Sequence, residues 1–133
     1  MKIAINTCFG GFGISTKAIL YLYEKNSELI EEHTDWKFSD YEYKSEKYIG
    51  NKMYSCSSWE IHNEDKSLVY TIKARDEEYR SHPDLIEVVE KLGKESFGDY
   101  ANLSIVEIPD DIDWQIDEYD GNETIEEKHR SWR

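Results

Sequence analysis

The residues best suited to chemistry stand at the front of the chain, in the run from Asn6 to Ser15 (NTCFGGFGIS). Gly10, Gly11 and Gly13 let backbone approach a ligand where side chains are missing, and Ser15 stands where a helix should begin. The first N–H groups of a helix lack partners, so a strand, a glycine turn and a helix in succession can hold a phosphate or carboxylate. Asn6, Thr7 and the Ser15 hydroxyl would add donors, while Phe9 and Phe12 suit stacking on a ring better than a phosphate grip alone. The spacing matches neither GxGxxG nor the Walker lysine pattern. The same glycines would also serve a tight connection that needs nothing but positive φ.

Three further groups of residues could share a site with this turn. Cys8 would be a nucleophile if a helix N-terminus lowered its pKa and His82 or His129 took its proton, and otherwise a small buried hydrophobe. Arg75 and Arg80 precede a second helix start, and arginine is suited to bidentate recognition of phosphate or carboxylate. Their alternative is surface pairing with Asp76, Glu77 and Glu78. Near the end, Tyr119, Asp120, His129, Arg130 and Trp132 could form a wall that stacks on a planar ring. His129 with Glu123, Asp120 and Glu127 offers a metal or acid–base site instead, although metal sites usually gather several His or Cys and the chain has four His. No motif calls for a cofactor.

These residues must be positioned by a chain of 133 residues, enough for a single domain spanning 1–133 with a core of its own. Sixteen basic against twenty-nine acidic residues leave a formal net charge of −13, which excludes a phosphate-neutralising nucleic-acid surface. Such acidity suits solubility or the covering of a basic partner. Cys8 and Cys56 form no disulfide framework, no apolar run reaches the length of a membrane span, and a cytosolic location with reduced thiols is expected.

Ile3, Ala4 and Ile5 predict a first strand, and Ala18, Ile19, Leu22 and Tyr23 predict one buried stripe of a helix from Thr16 to about Lys25, ended by Asn26 and Ser27. Glu28 to His33 reads as one further helical turn. Tyr54–Ile61 and Leu68–Ala74 predict an antiparallel hairpin around the turn residues 63–66. Pro83 at a first helical position, the stripe Leu85, Val88, Val89 and Leu92, and Gly93 at the end predict a second helix. Strands follow at Leu103–Ile108 and Trp114–Tyr119, and Asp120-Gly121 predicts a hairpin whose return runs from Thr124 to Trp132, with a helix as the alternative. Residues 101–133 hold ten acids and three bases, interleaved with apolar positions as on a solvated face. The fold class is therefore α+β, an antiparallel or mixed sheet with two helices packed on one face.

The opening INTCFGGFGIS, the segment RSHPDLIEVVEKLG, and IVEIPDDI followed by EYDG and EKHRSW resemble a family of small bacteriophage-encoded proteins. The likeness covers the first twenty or so residues and nearly everything after Arg75. Members often carry Asp before the proline where this chain has His82, so the cap of the second helix is expected to differ. The resemblance implies a phage accessory protein in the host cytoplasm that counters host defence by sequestering a nucleotide-derived signal. A non-catalytic site for a small anionic, nucleotide-like ligand is the leading expectation. A blocker of a basic host-protein surface and a small hydrolase using Cys8 or His129 are its rivals, and a homo-oligomer is compatible with each.

Overall fold

The computed structural model describes residues 1–33, 45–49, 52–56, 60–62 and 69–128. In chain order it contains β1 (Lys2–Asn6), α1 (Thr16–Glu24), β2 (Ile30–His33), β3 (Ser45–Ile49), β4 (Lys52–Cys56), β5 (Glu60–His62), β6 (Val69–Ile72), α2 (Pro83–Leu92), β7 (Leu103–Glu107), β8 (Trp114–Tyr119) and β9 (Asn122–Glu127). Short 3-10 turns at Glu77–Tyr79 and Gly93–Ser96 flank α2. The fold is α+β, and every described strand pair is antiparallel. The strands divide into three sheets: β1–β7, a five-stranded sheet in the order β2-β6-β5-β4-β3, and the hairpin β8–β9.

β1 is an unbroken apolar run because it is covered on both sides, with α2 against it and β9 beside it. α1 starts at Ser15, whose hydroxyl oxygen accepts from Ala18 N–H at 3.1 Å. It ends in a paired closure: Asn26 at φ 62 donates to Tyr23 O and Ser27 N–H donates to Leu22 O, both at 3.0 Å. That reversal stops the helix and releases Ile30–His33 as a strand on β6, correcting the helical turn expected there. α2 is capped by His82, whose Nδ1 accepts from Asp84 N–H at 3.0 Å, so an imidazole serves as the cap of this helix. The strand expected over Tyr54–Ile61 is two strands, β4 and β5, and β5 makes the expected antiparallel pair with β6.

The core joins Ile19, Leu22, Leu29, Leu85 and Val88, all fully buried, with Ala4, Ile14 and Leu103. Tyr23 lies at the margin of its stripe and is 38% exposed, and Leu20 is buried in its place. Among the described residues no helix is long and apolar enough to cross a membrane.

A polar tether fixes α1 to α2. Lys25 pairs with Asp84 at 3.1 Å and with Glu87, and the Ser27 hydroxyl donates to Asp84 Oδ2 at 2.7 Å. The Ser27 hydrogen bond first, and Lys25 second, hold the Asp84 carboxyl below its ordinary value of 3.8. A depressed carboxylate stabilises the fold above its unfolded pKa and loses that contribution as pH falls through the lowered value. Ser27→Ala is expected to cost about 1.5–3 kcal/mol at neutral pH, the range for a hydrogen bond to a charged group. The deficit should shrink below pH 3.8, and urea unfolding across an acid pH series checks both statements.

Candidate functional site

Where β1 ends, the chain meets two later loops. Asn6 is fully buried, and its amide Nδ2 donates to Cys8 O and Gly121 O, each at 2.7 Å. Its Oδ1 accepts from Asn102 N–H at 2.8 Å and from the Cys8 thiol at 3.3 Å. Thr7 donates both its N–H and its hydroxyl to Asn102 O, and the Cys8 thiol also faces Tyr100 O at 2.9 Å. Asn6, Thr7 and Cys8, expected to meet a ligand, bind the glycine turn to residues 98–102 and to the β8–β9 turn instead.

The glycines serve the same junction. A Cβ on Gly10 would lie 1.7 Å from Tyr100 O, and one on Gly121 would lie 2.5 Å from Gly11 N. Gly98 lies against Gly13 less tightly, with 2.9 Å from its would-be Cβ to Gly13 C. Gly11 alone among the first three is demanded by conformation, at φ 90. The expected hairpin at Asp120-Gly121 is present, with φ of 52 and 90 at its two turn residues, the type I′ signature. β9 pairs as a strand through Glu127, and His129, Arg130 and Trp132 lie outside the described residues.

Beneath this junction lies the ion pair of Arg80 and Glu123, 3% and 5% exposed. The contact is bidentate, Nη1 to Oε1 at 2.7 Å and Nη2 to Oε2 at 2.8 Å. Arg80 also donates to Arg75 O at 3.0 Å and Ala4 O at 3.3 Å, and its guanidinium stacks 3.6 Å over Phe12. Glu123 Oε1 accepts from Asn6 N–H at 2.8 Å as well. Arg80, expected to grip a ligand, grips Glu123, and Phe12 supports the guanidinium. Sequence reasoning placed Glu123 in a metal or acid–base cluster. Its position two residues before Ile125, on the inward face of β9, was the available sign of a buried acid in need of a cation. Among the described residues no group of three or more His, Cys, Asp or Glu could hold a metal ion.

Ser15 serves its helix, as its hydroxyl caps α1 and donates to Glu95 O at 2.5 Å. An open cleft of about 430 Å³ nevertheless forms beside it, with the backbone of Gly10, Gly11 and Gly13 on one side and Arg75 on the other. The glycine turn and the arginine segment thus converge, as expected from two separate helix starts. Tyr100 and Ala101 complete a rim that sequence reasoning did not include. The cleft is acidic: Asp76, Glu77, Asp99 and Glu118 line it in addition to the paired Glu123. Glu77 also accepts Ile116 N–H at 2.5 Å, tying the arginine segment to β8. Phe9 and Tyr119, 64% and 79% exposed, stand outside the cleft lining.

Compared with known proteins, the chain matches no family model, no curated protein and no solved structure.

Two measurements follow from this geometry. Glu123→Gln leaves the Arg80 charge buried without a counter-ion and should cost about 3–5 kcal/mol in chemical denaturation. Arg80→Met combined with Glu123→Leu should recover most of that loss, because the desolvation of both charges disappears together. Among glycines, Gly10→Ala should lower the unfolding midpoint far more than Gly13→Ala, whose Cβ would meet nothing within 4 Å. Equal tolerance at both positions would contradict the close approach of Tyr100.

Proposed function

We propose that the protein binds a small nucleotide-derived ligand in the cleft between the glycine turn and Arg75 and releases it unchanged. The observation that carries this reading is the convergence of glycine backbone, an exposed arginine and the Tyr100 rim on one concavity. Arg75 already takes part in an interaction within the protein, so a ligand anion has to compete for it. The four carboxylates of Asp76, Glu77, Asp99 and Glu118 restrict the ligand further. Ionised carboxylates only accept hydrogen bonds, so the groups facing them must be donors: ribose hydroxyls, exocyclic amines or ring N–H. A polyphosphate would set its charges against theirs, whereas one phosphate at Arg75 and a donor-rich nucleoside beyond it satisfies both walls. The bacteriophage resemblance adds a role, the withdrawal of a nucleotide-derived defence signal from the host.

Cys8 supports a binding reading over a thiol hydrolase, since its sulfur faces the carbonyl oxygens of Asn6 and Tyr100 and neither is a base for a thiol. Calorimetry against cyclic nucleotides and ADP-ribose derivatives, with chromatography of the recovered ligand, tests the proposal. Arg75→Ala should weaken binding by about 1.5–3 kcal/mol, the range for hydrogen bonds to a charged group. Cys8→Ser should leave binding intact. A chemically altered ligand would point to the hydrolase, and silence across the panel would remove the reading.

A further inference from the structure

The three loops that interlock around Asn6 carry a second feature, which adjoins the cleft and shares Asp99, Tyr100 and Glu118 with its lining. Residues 7–13, 98–102 and 117–122 contain no Lys or Arg, and contain Asp99, Asp117, Glu118 and Asp120, all exposed. Among the described residues four large hydrophobic side chains are exposed, and three of them stand on these loops: Phe9 at 64%, Tyr100 at 75% and Tyr119 at 79%. The loops abut through backbone, Gly10 on Tyr100 and Gly121 on Phe9 and Gly11, so the exposed residues Phe9, Tyr100 and, two positions before Gly121, Tyr119 stand on adjoining loops at one pole of the molecule. Neither the core nor the junction uses them, because the contacts that lock the loops are made by Asn6, Thr7, Cys8 and the glycines.

We infer that this pole is a docking surface for a basic protein segment rich in arginine. The rings supply faces on which guanidinium groups stack, and the carboxylates on the same loops supply the matching charge. On the same hairpin Asp117 faces Glu126, and a hydrogen bond shared between them, with repulsion from the Asp117 charge, holds Glu126 above the ordinary carboxyl range. These three loops carry four carboxylates and no Lys or Arg in their sequence, so a polyanion would meet like charge there and a cationic segment is the complementary class. Arginine is favoured over lysine because its planar, weakly hydrated head stacks on aromatic faces and pairs bidentately with carboxylates.

Tyr100, Asp99 and Glu118 belong to both surfaces, whereas Phe9 and Tyr119 do not line the cleft, so substitutions at those two read this surface apart from ligand binding at Arg75. The test is an NMR titration of the full chain with an arginine-rich peptide and a length-matched lysine-rich peptide at physiological salt, on wild type and on Phe9→Ser with Tyr119→Ser. Expected are shifts concentrated on the three loops, tighter binding of the arginine peptide, and about a tenfold loss of affinity in the double variant, with an unchanged unfolding midpoint. Shifts spread evenly over the acidic surface, equal affinity for both peptides, or a double variant that binds as tightly as wild type would each overturn it. Self-association of the wild type that the double variant abolishes would overturn it too, by making a second copy the occupant.

Discussion

The β8–β9 hairpin contributes nothing to the hydrophobic core, which is built from β1, α1, α2, β6, β7 and their connections. A two-stranded hairpin is marginal by itself in water, so this one is held by what it bonds to. The bidentate contact of Glu123 with Arg80 is the centre of that attachment, and Asn6 N–H, Gly121 O and Glu77 surround it. Desolvating both charges is expensive, and only good geometry with further hydrogen bonds offsets it. Here the carboxylate accepts three donors and the guanidinium reaches two carbonyls besides, so neither ion is left with an idle buried face. The pair ties β1, the segment between β6 and α2, and β9 into one arrangement, which an apolar contact of the same area would locate far less specifically.

That arrangement explains the glycine turn in a way its composition does not suggest. An isolated glycine-rich passage into a helix looks like a cradle for anions. In this chain Tyr100 fills the space left by the absent side chain of Gly10, the turn's own backbone at Phe9 and Gly11 fills that of Gly121, and the N-terminus of α1 is closed by Ser15 and the Gly93–Ser96 turn. Close approach of backbone is the same physical property in both cases. It serves loop against loop here, and the cleft opens on the side of the turn that remains.

Local features were legible from residues alone. Asp120-Gly121 specifies a turn through positive φ at both positions, Pro83 and Gly93 bracket α2, and Ser15 and Asn26 bracket α1, each decided within a few residues. What depends on distant partners was not. Asn6 meets Asn102 and Gly121, and Arg80 meets Glu123, across separations of 96, 115 and 43 residues. Nothing nearby distinguishes Arg80 from Arg75, since both lie beside acids, yet one is buried and the other is exposed. The cleft was therefore anticipated in its location, from the turn and Arg75, and misjudged in its charge, because Glu118 and Asp99 arrive from parts of the chain that no spacing rule connects to it.

The withdrawal of Arg80 into the interior has an electrostatic consequence at the surface. A chain of net charge −13 has few cations to place, and one of them is spent neutralising an internal carboxylate. The cleft keeps Arg75 against four acids, two of which, Asp99 and Glu118, stand on the adjoining loops whose own sequence holds no Lys or Arg. At physiological salt exposed charges are screened beyond about 8 Å, so the global charge governs long-range approach and the local pattern governs what stays bound. Long-range attraction therefore selects cations, and only the short stretch around Arg75 and the glycine backbone can favour an anion at contact. The two surfaces differ for that reason: one discriminates by geometry against the prevailing field, and the other follows it.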